Sequence, residues 1–161
     1  MPVIAVEKLT FSFPDGWQVS KYDDWSFYRN QYGKQDNGIK AVDLLAISDE
    51  KDAYLIEVKD YRYPDSEAPS ALAEIVAGKV RDTLAALLPA RLNANDGEEK
   101  SLASALLGCR TLRIVLHIEQ KSHAIDLADL KQKLRPKIRA IDAHPKIVSI
   151  KEMQKLAWTV A

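Results

Sequence analysis

Three charged residues could form a reactive site: Asp43, Glu57 and Lys59, each set within an apolar stretch. Asp43 lies in the segment 40–47, and the other two lie in the segment 54–59 after a polar turn. Burying an unpaired charge costs several kcal/mol or shifts its pKa until the group is neutral. A bound divalent cation with its water would offset that cost. These residues therefore predict metal-assisted chemistry.

The two apolar segments predict a β-hairpin that would bring the acids together. Glu57 and Lys59 are two residues apart on a strand, so both point to the same face. If the turn is centred on Glu50, Asp43 lies opposite Glu57, with Cβ atoms about 4.5–5.5 Å apart. Two carboxylates at that distance repel each other unless a cation lies between them, and Mg²⁺ prefers such oxygen ligands.

This set of side chains suits metal-assisted hydrolysis of a phosphodiester. The ion would polarise a phosphoryl oxygen and lower the pKa of a bound water. Lys59 would orient or deprotonate the attacking water, or stabilise the charge that develops on phosphorus. The alternative is a surface hairpin on which the same three residues form an ordinary ladder of salt bridges.

At these positions the chain resembles the PD-(D/E)xK nuclease superfamily, over about residues 20–118. Asp43 matches on one strand and Glu57-Val58-Lys59 on the next, before a long amphipathic helix and a buried strand. Val42 stands where the family has proline. The resemblance implies a restriction-endonuclease-like fold, which is a three-layer α/β/α sandwich with a central mixed β-sheet.

The resemblance also implies roles for individual residues. Asp43, Glu57 and the backbone carbonyl of Val58 would bind Mg²⁺ or Mn²⁺, and Lys59 would assist the water. These residues would make the chain a metal-dependent nuclease, with DNA favoured over RNA as the predicted substrate. A non-catalytic module with the same fold that binds protein or nucleic acid is the alternative. An enzyme for a small phosphorylated substrate is a third reading.

Four further residues are candidates for the same site. Many members of the family place an acid in the helix before the first core strand, and Asp23 and Asp24 both qualify here. Lys79 lies on the margin of the long helix and could contact a phosphate, or its ammonium could extend to solvent. Arg62 follows the second strand and could contact nucleic acid or close a salt bridge at the strand end.

Periodicity and turn residues predict one α/β domain over residues 1–161. The predicted elements of the first half are, in chain order, a strand at 3–13, a turn at 14–16, a helix at 25–32, a turn at 36–38, and strands at 40–48 and 53–61. Those of the second half are a helix at 70–88 bracketed by Pro69 and Pro89, a helix at 98–107, a strand at 112–118, a helix at 127–141 kinked or divided at Pro136, and a strand at 147–150. The stripe on the helix at 70–88 comprises Leu72, Ile75, Val76, Val80, Leu84, Leu87 and Leu88.

Composition sets broad limits on the class of protein. The chain is 47% hydrophobic and 29% charged, which is typical of a globular domain. No stretch approaches the roughly 20 apolar residues that span a bilayer, and no secretory signal is expected, so cytoplasmic residence is predicted. The single cysteine, Cys109, excludes an internal disulfide and a multi-thiolate metal site.

The charge is unevenly distributed although it sums to zero. Residues 1–70 carry 8 basic and 13 acidic side chains, and residues 71–161 carry 15 and 10. Five basic residues fall between Lys131 and Arg139, and they predict either a phosphate-facing patch or a solvated helix face. A core of this size leaves little surface for target recognition, so a homodimer or a larger complex is expected.

Overall fold

The computed structural model describes residues 1–35 and 38–161 and contains a central mixed sheet. Its strands are β3 (Gln18–Lys21), β4 (Leu44–Ile47), β5 (Asp52–Tyr61), β6 (Thr111–Gln120) and β7 (Lys146–Val148), which lie in that order. The first three are antiparallel neighbours, and the last three are parallel. The predicted α/β class with a mixed sheet is therefore confirmed.

The hairpin of β4 and β5 has the predicted register. Leu44 pairs with Ile56, and Leu45 pairs with Leu55. The turn closes where the Ser48 N–H donates to the Asp52 carbonyl at 2.9 Å, with Lys51 in the left-handed region at φ 67°. Asp43, one residue before β4, is thereby brought to the level of Glu57.

Three helices connect the parallel strands. They are α1 (Leu72–Asn93) and α2 (Gly97–Leu107) between β5 and β6, and α3 (Leu127–Ile138) between β6 and β7. All three pack on one face of the sheet, where their apolar side chains join Leu45, Leu55 and Leu116 in one buried cluster. Asp96 and Asp126 cap α2 and α3 by accepting hydrogen bonds from the first backbone N–H groups.

α1 is longer than predicted, because it continues through Pro89 to Asn93. The ring removes only one backbone donor, and Leu87 and Ala90 are buried on either side of it. The buried stripe agrees with prediction in part. Leu72, Val76, Val80 and Leu87 are buried as predicted, whereas Ile75 and Leu88 are exposed. Small side chains are buried beside the stripe: Ala73, Ala77, Thr83, Ala86 and Ala90.

The other face of the central sheet is covered by a second, three-stranded sheet. It has the order β1-β2-β8, with β1 at Val3–Val6, β2 at Leu9–Ser12 and β8 at Thr159–Val160. A buried aromatic group fills the space between the two sheets: Phe11, Phe13, Trp17 and Trp158. The arrangement differs from the predicted α/β/α sandwich, because this aromatic-rich sheet covers the face on which a second helical layer was expected.

Two amino-terminal predictions need correction. The strand predicted at 3–13 is the hairpin of β1 and β2, since Glu7 at φ 54° reverses the chain. The helix predicted at 25–32 is a series of short segments, a 3₁₀ turn at Tyr22–Asp24, a π-helical turn at Phe27–Gln31 and a 3₁₀ turn at Tyr32–Lys34. The turn predicted at 36–38 falls mostly outside the described residues. No helix in the described ranges is both long and apolar enough to cross a membrane.

Candidate functional site

Glu57 is the centre of the site and is 1% exposed. Its Oε1 atom accepts from two ammonium groups, Lys59 Nζ at 3.0 Å and Lys79 Nζ at 2.5 Å. Lys59 lies two residues further along β5 on the same face, and Lys79 reaches across from α1. The two lysines compensate the buried carboxylate, so the candidate phosphate ligand Lys79 is in the middle of the site.

Asp43 adds a second carboxyl group. Its Oδ2 atom accepts the backbone N–H of Val58 at 2.7 Å, which fixes it against β5. Burial raises the pKa of Asp43, and the charge of Glu57 raises it further, to about 6, despite the Val58 hydrogen bond and the two lysines. The predicted convergence of Asp43, Glu57 and Lys59 is present in the structure.

Lys59 responds in the opposite way to the same surroundings. Burial lowers its pKa, but the Glu57 charge, their hydrogen bond and Asp43 outweigh burial, so the net pKa is raised. Lys59 is therefore a cation at every physiological pH. Its side chain is slightly more exposed than that of Lys79, at 22% against 18%.

A buried threonine positions the segment that carries Asp43. Thr83 Oγ1 donates to the Lys79 carbonyl at 2.7 Å and accepts the Val42 N–H at 3.1 Å. It is fully buried on α1, one turn beyond Lys79. One face of α1 therefore carries both Lys79, whose ammonium lies beside Glu57, and Thr83, which holds the residue before Asp43.

The structure separates the two candidates for the auxiliary acid. Asp24 pairs with Arg29 and Lys21 on the surface. Asp23 is nearer the site, because the N–H of the preceding residue, Tyr22, donates to the Asp43 carbonyl at 2.9 Å. Burial raises the pKa of Asp23, and the nearby charge of Asp43 raises it further. Its Oδ1 atom is buried, and no hydrogen-bond donor within the described ranges reaches it.

Sequence reasoning missed Glu7, which reaches the site from the turn between β1 and β2. Its Oε2 atom accepts the Asp60 N–H at 3.1 Å. Burial raises the pKa of Glu7, Lys59 lowers it, and Asp43 raises it, with a net rise. The sequence contains one sign that Glu7 belongs to the site, which is that it interrupts an apolar stretch. Its partners lie more than 35 residues away.

Arg62 is not part of the site. Its guanidinium makes two hydrogen bonds to Asp60, at 2.8 and 2.7 Å. Asp60 alternates with Lys59 along β5 and therefore lies on the opposite face. Of the two alternatives for Arg62, the structure shows the salt bridge at the strand end.

The predicted metal ligands Asp43, Glu57 and the Val58 carbonyl lie at one place, but Glu57 is already compensated by two lysines. Across residues 1–35 and 38–161, no three acidic, histidine or cysteine side chains are grouped to hold a metal ion. Glu57 Oε2 fits a cation, since it is buried and no described residue donates to it, and Asp23 Oδ1 shares both properties. Mg²⁺ or Mn²⁺ binding stays a prediction.

The arrangement can do two things chemically. A carboxyl group with a pKa near 6 can take up and release a proton near neutral pH, and Asp43 is such a group. An accessible ammonium can bind a phosphate oxygen as a point charge, and Lys59 is placed for that. A cavity of about 540 Å³ opens beyond the site, between Tyr61 at the end of β5 and Gln120 at the end of β6.

Comparison with known proteins finds similarity to part of a tRNA ligase. The chain is 36% identical over 152 residues to a cysteine–tRNA ligase from Neisseria meningitidis serogroup A / serotype 4A (strain DSM 15465 / Z2491). The match covers 76% of this chain but 22% of the ligase, so the chain spans about a fifth of the relative's length. No protein-family model matches the chain, and no solved structure matches it.

This similarity overturns the predicted function. The relative is a tRNA ligase and not a nuclease, so the prediction of a metal-dependent nuclease, and of a DNA-cleaving hydrolase in general, is wrong. The error came from the chemistry assigned to the residues and not from their positions. A buried carboxylate with two lysines and a second acid nearby is compatible with binding as well as with hydrolysis.

Proposed function

We propose that this chain is an RNA-binding module that acts on tRNA in association with cysteine–tRNA ligation. The observation that carries the proposal is the 36% identity to part of a cysteine–tRNA ligase over three quarters of the chain. The aligned part is 22% of that ligase, so the proposal concerns an accessory role. Joining cysteine to tRNA is not assigned to this chain.

The site supports the proposal through its charges. Lys59 is a permanent cation with a partly exposed side chain, and Glu57 orients its ammonium from a buried position. A phosphate of bound RNA would meet this ammonium, while Lys79 keeps Glu57 compensated from the other side. Asp43 would couple binding to pH, because its ionised form repels a phosphate and its neutral form does not.

In this proposal the chain keeps the restriction-endonuclease-like arrangement of strands and helices but not the nuclease chemistry. The hairpin of β4 and β5, the long crossover helix α1 and the parallel strand β6 follow the order that the resemblance implies. Residues 1–161 would form one such binding unit. The partner would be RNA and not the DNA first expected, and a homodimer stays a prediction.

Direct binding tests the proposal. Fluorescence anisotropy would compare a labelled tRNA that accepts cysteine with duplex DNA of the same length, at 50 to 200 mM salt. We expect tRNA to bind at least tenfold more tightly than the DNA. Lys59→Gln should weaken tRNA binding by about three- to tenfold, on the order of 1 kcal/mol for one charge-assisted contact.

Lys155→Gln is the matched control, since Lys155 is exposed near the carboxyl terminus and outside the site. It should bind tRNA like the unmodified chain. Absence of tRNA binding, or equal affinity for the DNA duplex, would overturn the proposed function. If the two variants lost tRNA affinity equally, Lys59 would have no specific role in binding.

A further inference from the structure

α3 and the residue after it carry five basic side chains, and the structure divides them into two sets. Lys133 pairs with Asp129 at 2.8 Å, and Lys137 pairs with Glu74 of α1 at 2.5 Å. The other three are Lys131, Arg135 and Arg139. Within residues 1–35 and 38–161, none of these three has a carboxylate within 4.0 Å.

The unpaired set forms one line along the helix. Lys131, Arg135 and Arg139 are four residues apart, which places them on one face. Arg139 follows the last residue of α3 but keeps helical dihedrals, φ −56° and ψ −37°, so the spacing is maintained. Eight residues at 1.5 Å per residue give the line a length of about 12 Å.

The surface around this line is concave and free of acids. An open groove of about 550 Å³ is lined by Ala128, Lys131, Gln132, Arg135, Pro136 and Arg139. The acidic residues of the neighbourhood are used elsewhere. Asp126 caps α3, Asp129 holds Lys133, and Glu74 holds Lys137 and, at 3.7 Å, Arg81. The groove therefore presents uncompensated positive charge.

Helix stability accounts for only part of this charge. Cations in the last turn are favoured by the helix dipole, which would explain Arg135, Lys137 and Arg139. The dipole effect falls off within one turn and does not reach Lys131. Nor does it explain why the cations without an acid lie on one face, with the paired ones on another.

We infer that Lys131, Arg135 and Arg139 form a contact surface for the phosphate backbone of an RNA strand. Three cations spread over about 12 Å can each meet one phosphate of the strand. The inference rests on the proposed tRNA-binding function and names the surface that would supply most of its affinity. The surface is separate from the Glu57 site.

The two sets of cations on one helix give a matched experiment. The triple variant Lys131→Gln/Arg135→Gln/Arg139→Gln removes the unpaired set, and the double variant Lys133→Gln/Lys137→Gln removes the paired set. Binding of labelled tRNA is measured for both and for the unmodified chain at several salt concentrations. Circular dichroism and thermal unfolding check that α3 is retained.

We expect the triple variant to weaken tRNA binding at least tenfold at 100 mM salt. The slope of log affinity against log salt should fall by about 2, because each lost phosphate contact contributes roughly 0.7 to 0.9. The double variant should lose less than threefold and keep the slope. Equal effects of the two variants would overturn the inference, as would an unchanged slope in the triple variant.

The outcomes separate the inference from the function on which it rests. If the unmodified chain does not bind tRNA, the proposed function fails, and the α3 surface fails with it. If the unmodified chain binds but the triple variant binds equally well, only the α3 surface is wrong. Equal affinity of the unmodified chain for duplex DNA and for tRNA would contradict RNA as the occupant.

Discussion

The ammonium of Lys79 lies 2.5 Å from Oε1 of Glu57, which ties helix α1 to the middle of strand β5 inside the protein. Lys59 shares the same oxygen at 3.0 Å. A buried ion pair is costly to break, because removing one partner leaves the other charge uncompensated away from water. Glu57 is therefore both a member of the proposed site and a structural link between a helix and the sheet.

Glu57→Gln should destabilise the fold. The substitution leaves two ammonium groups close together with no carboxylate between them, and breaking a buried pair of this kind costs about 3 kcal/mol. Urea unfolding followed by circular dichroism would measure the loss in the free energy of unfolding.

Glu50→Gln is the control for that substitution. Glu50 also forms an ion pair, with Arg110 at 3.1 Å, but 74% of its side chain is exposed. Its loss should leave the urea midpoint nearly unchanged, because water replaces the partner. Similar midpoints for the two variants would contradict a structural role for Glu57.

Asp43 should make stability depend on pH. Its pKa in the folded protein is about 6, above the ordinary 3.8, so the folded state binds the proton more tightly. The stabilisation is complete below about pH 4 and is lost as the pH rises through 6. The side chain in Asp43→Asn stays neutral at every pH. The free energy of unfolding of this variant should therefore rise relative to that of the unmodified chain by up to about 3 kcal/mol between pH 4 and 7.

The measurement is the difference in unfolding free energy between the two proteins across pH 4 to 8. Asp49→Asn serves as the control, because Asp49 lies at the exposed turn of the same hairpin. A difference for Asp43→Asn that stays flat over this range would show that Asp43 is not held in the surroundings described above.

Thr83→Val should destabilise the protein by about 1 to 3 kcal/mol, the cost of one buried donor without an acceptor. Valine fills the same volume but cannot accept the Val42 N–H. Thr83→Ser keeps the hydroxyl and should recover most of the loss. Thermal unfolding of the two variants tests the hydrogen bond, and equal losses would indicate that packing alone is responsible.

Divalent-cation binding is tested by calorimetric titration of the chelator-treated protein with Mg²⁺ and then Mn²⁺. If Asp43 and Glu57 Oε2 form a cation site, heat of binding should be measurable, and Asp43→Asn should lower the affinity at least tenfold. Asp49→Asn should leave it unchanged. Equal titration curves for the two variants would place any bound ion elsewhere.

The sequence predicted the hairpin well because local patterns determine it. Apolar strands flank a polar turn, and the register that places Asp43 beside Glu57 follows from the turn position alone. The helix at 98–107 was also found to within a residue, since Asp96 and Gly108 mark its two ends. Such signals lie within a few residues of the structure they specify.

The features that sequence reasoning missed depend on distant contacts. Glu7 meets Asp60 across 53 residues, and β8 pairs with β2 across most of the chain. The helix α1 passed through Pro89 because the buried residues around it outweigh one lost hydrogen bond. Function was the least predictable part, since the same acids and lysines serve binding and catalysis equally well.

The small sheet places the first and last strands on either side of β2. Val3 and Thr159 both pair with Ser12, so they lie about 10 Å apart, two strand spacings across the sheet. A longer polypeptide could therefore enter and leave this unit at neighbouring points without disturbing its core.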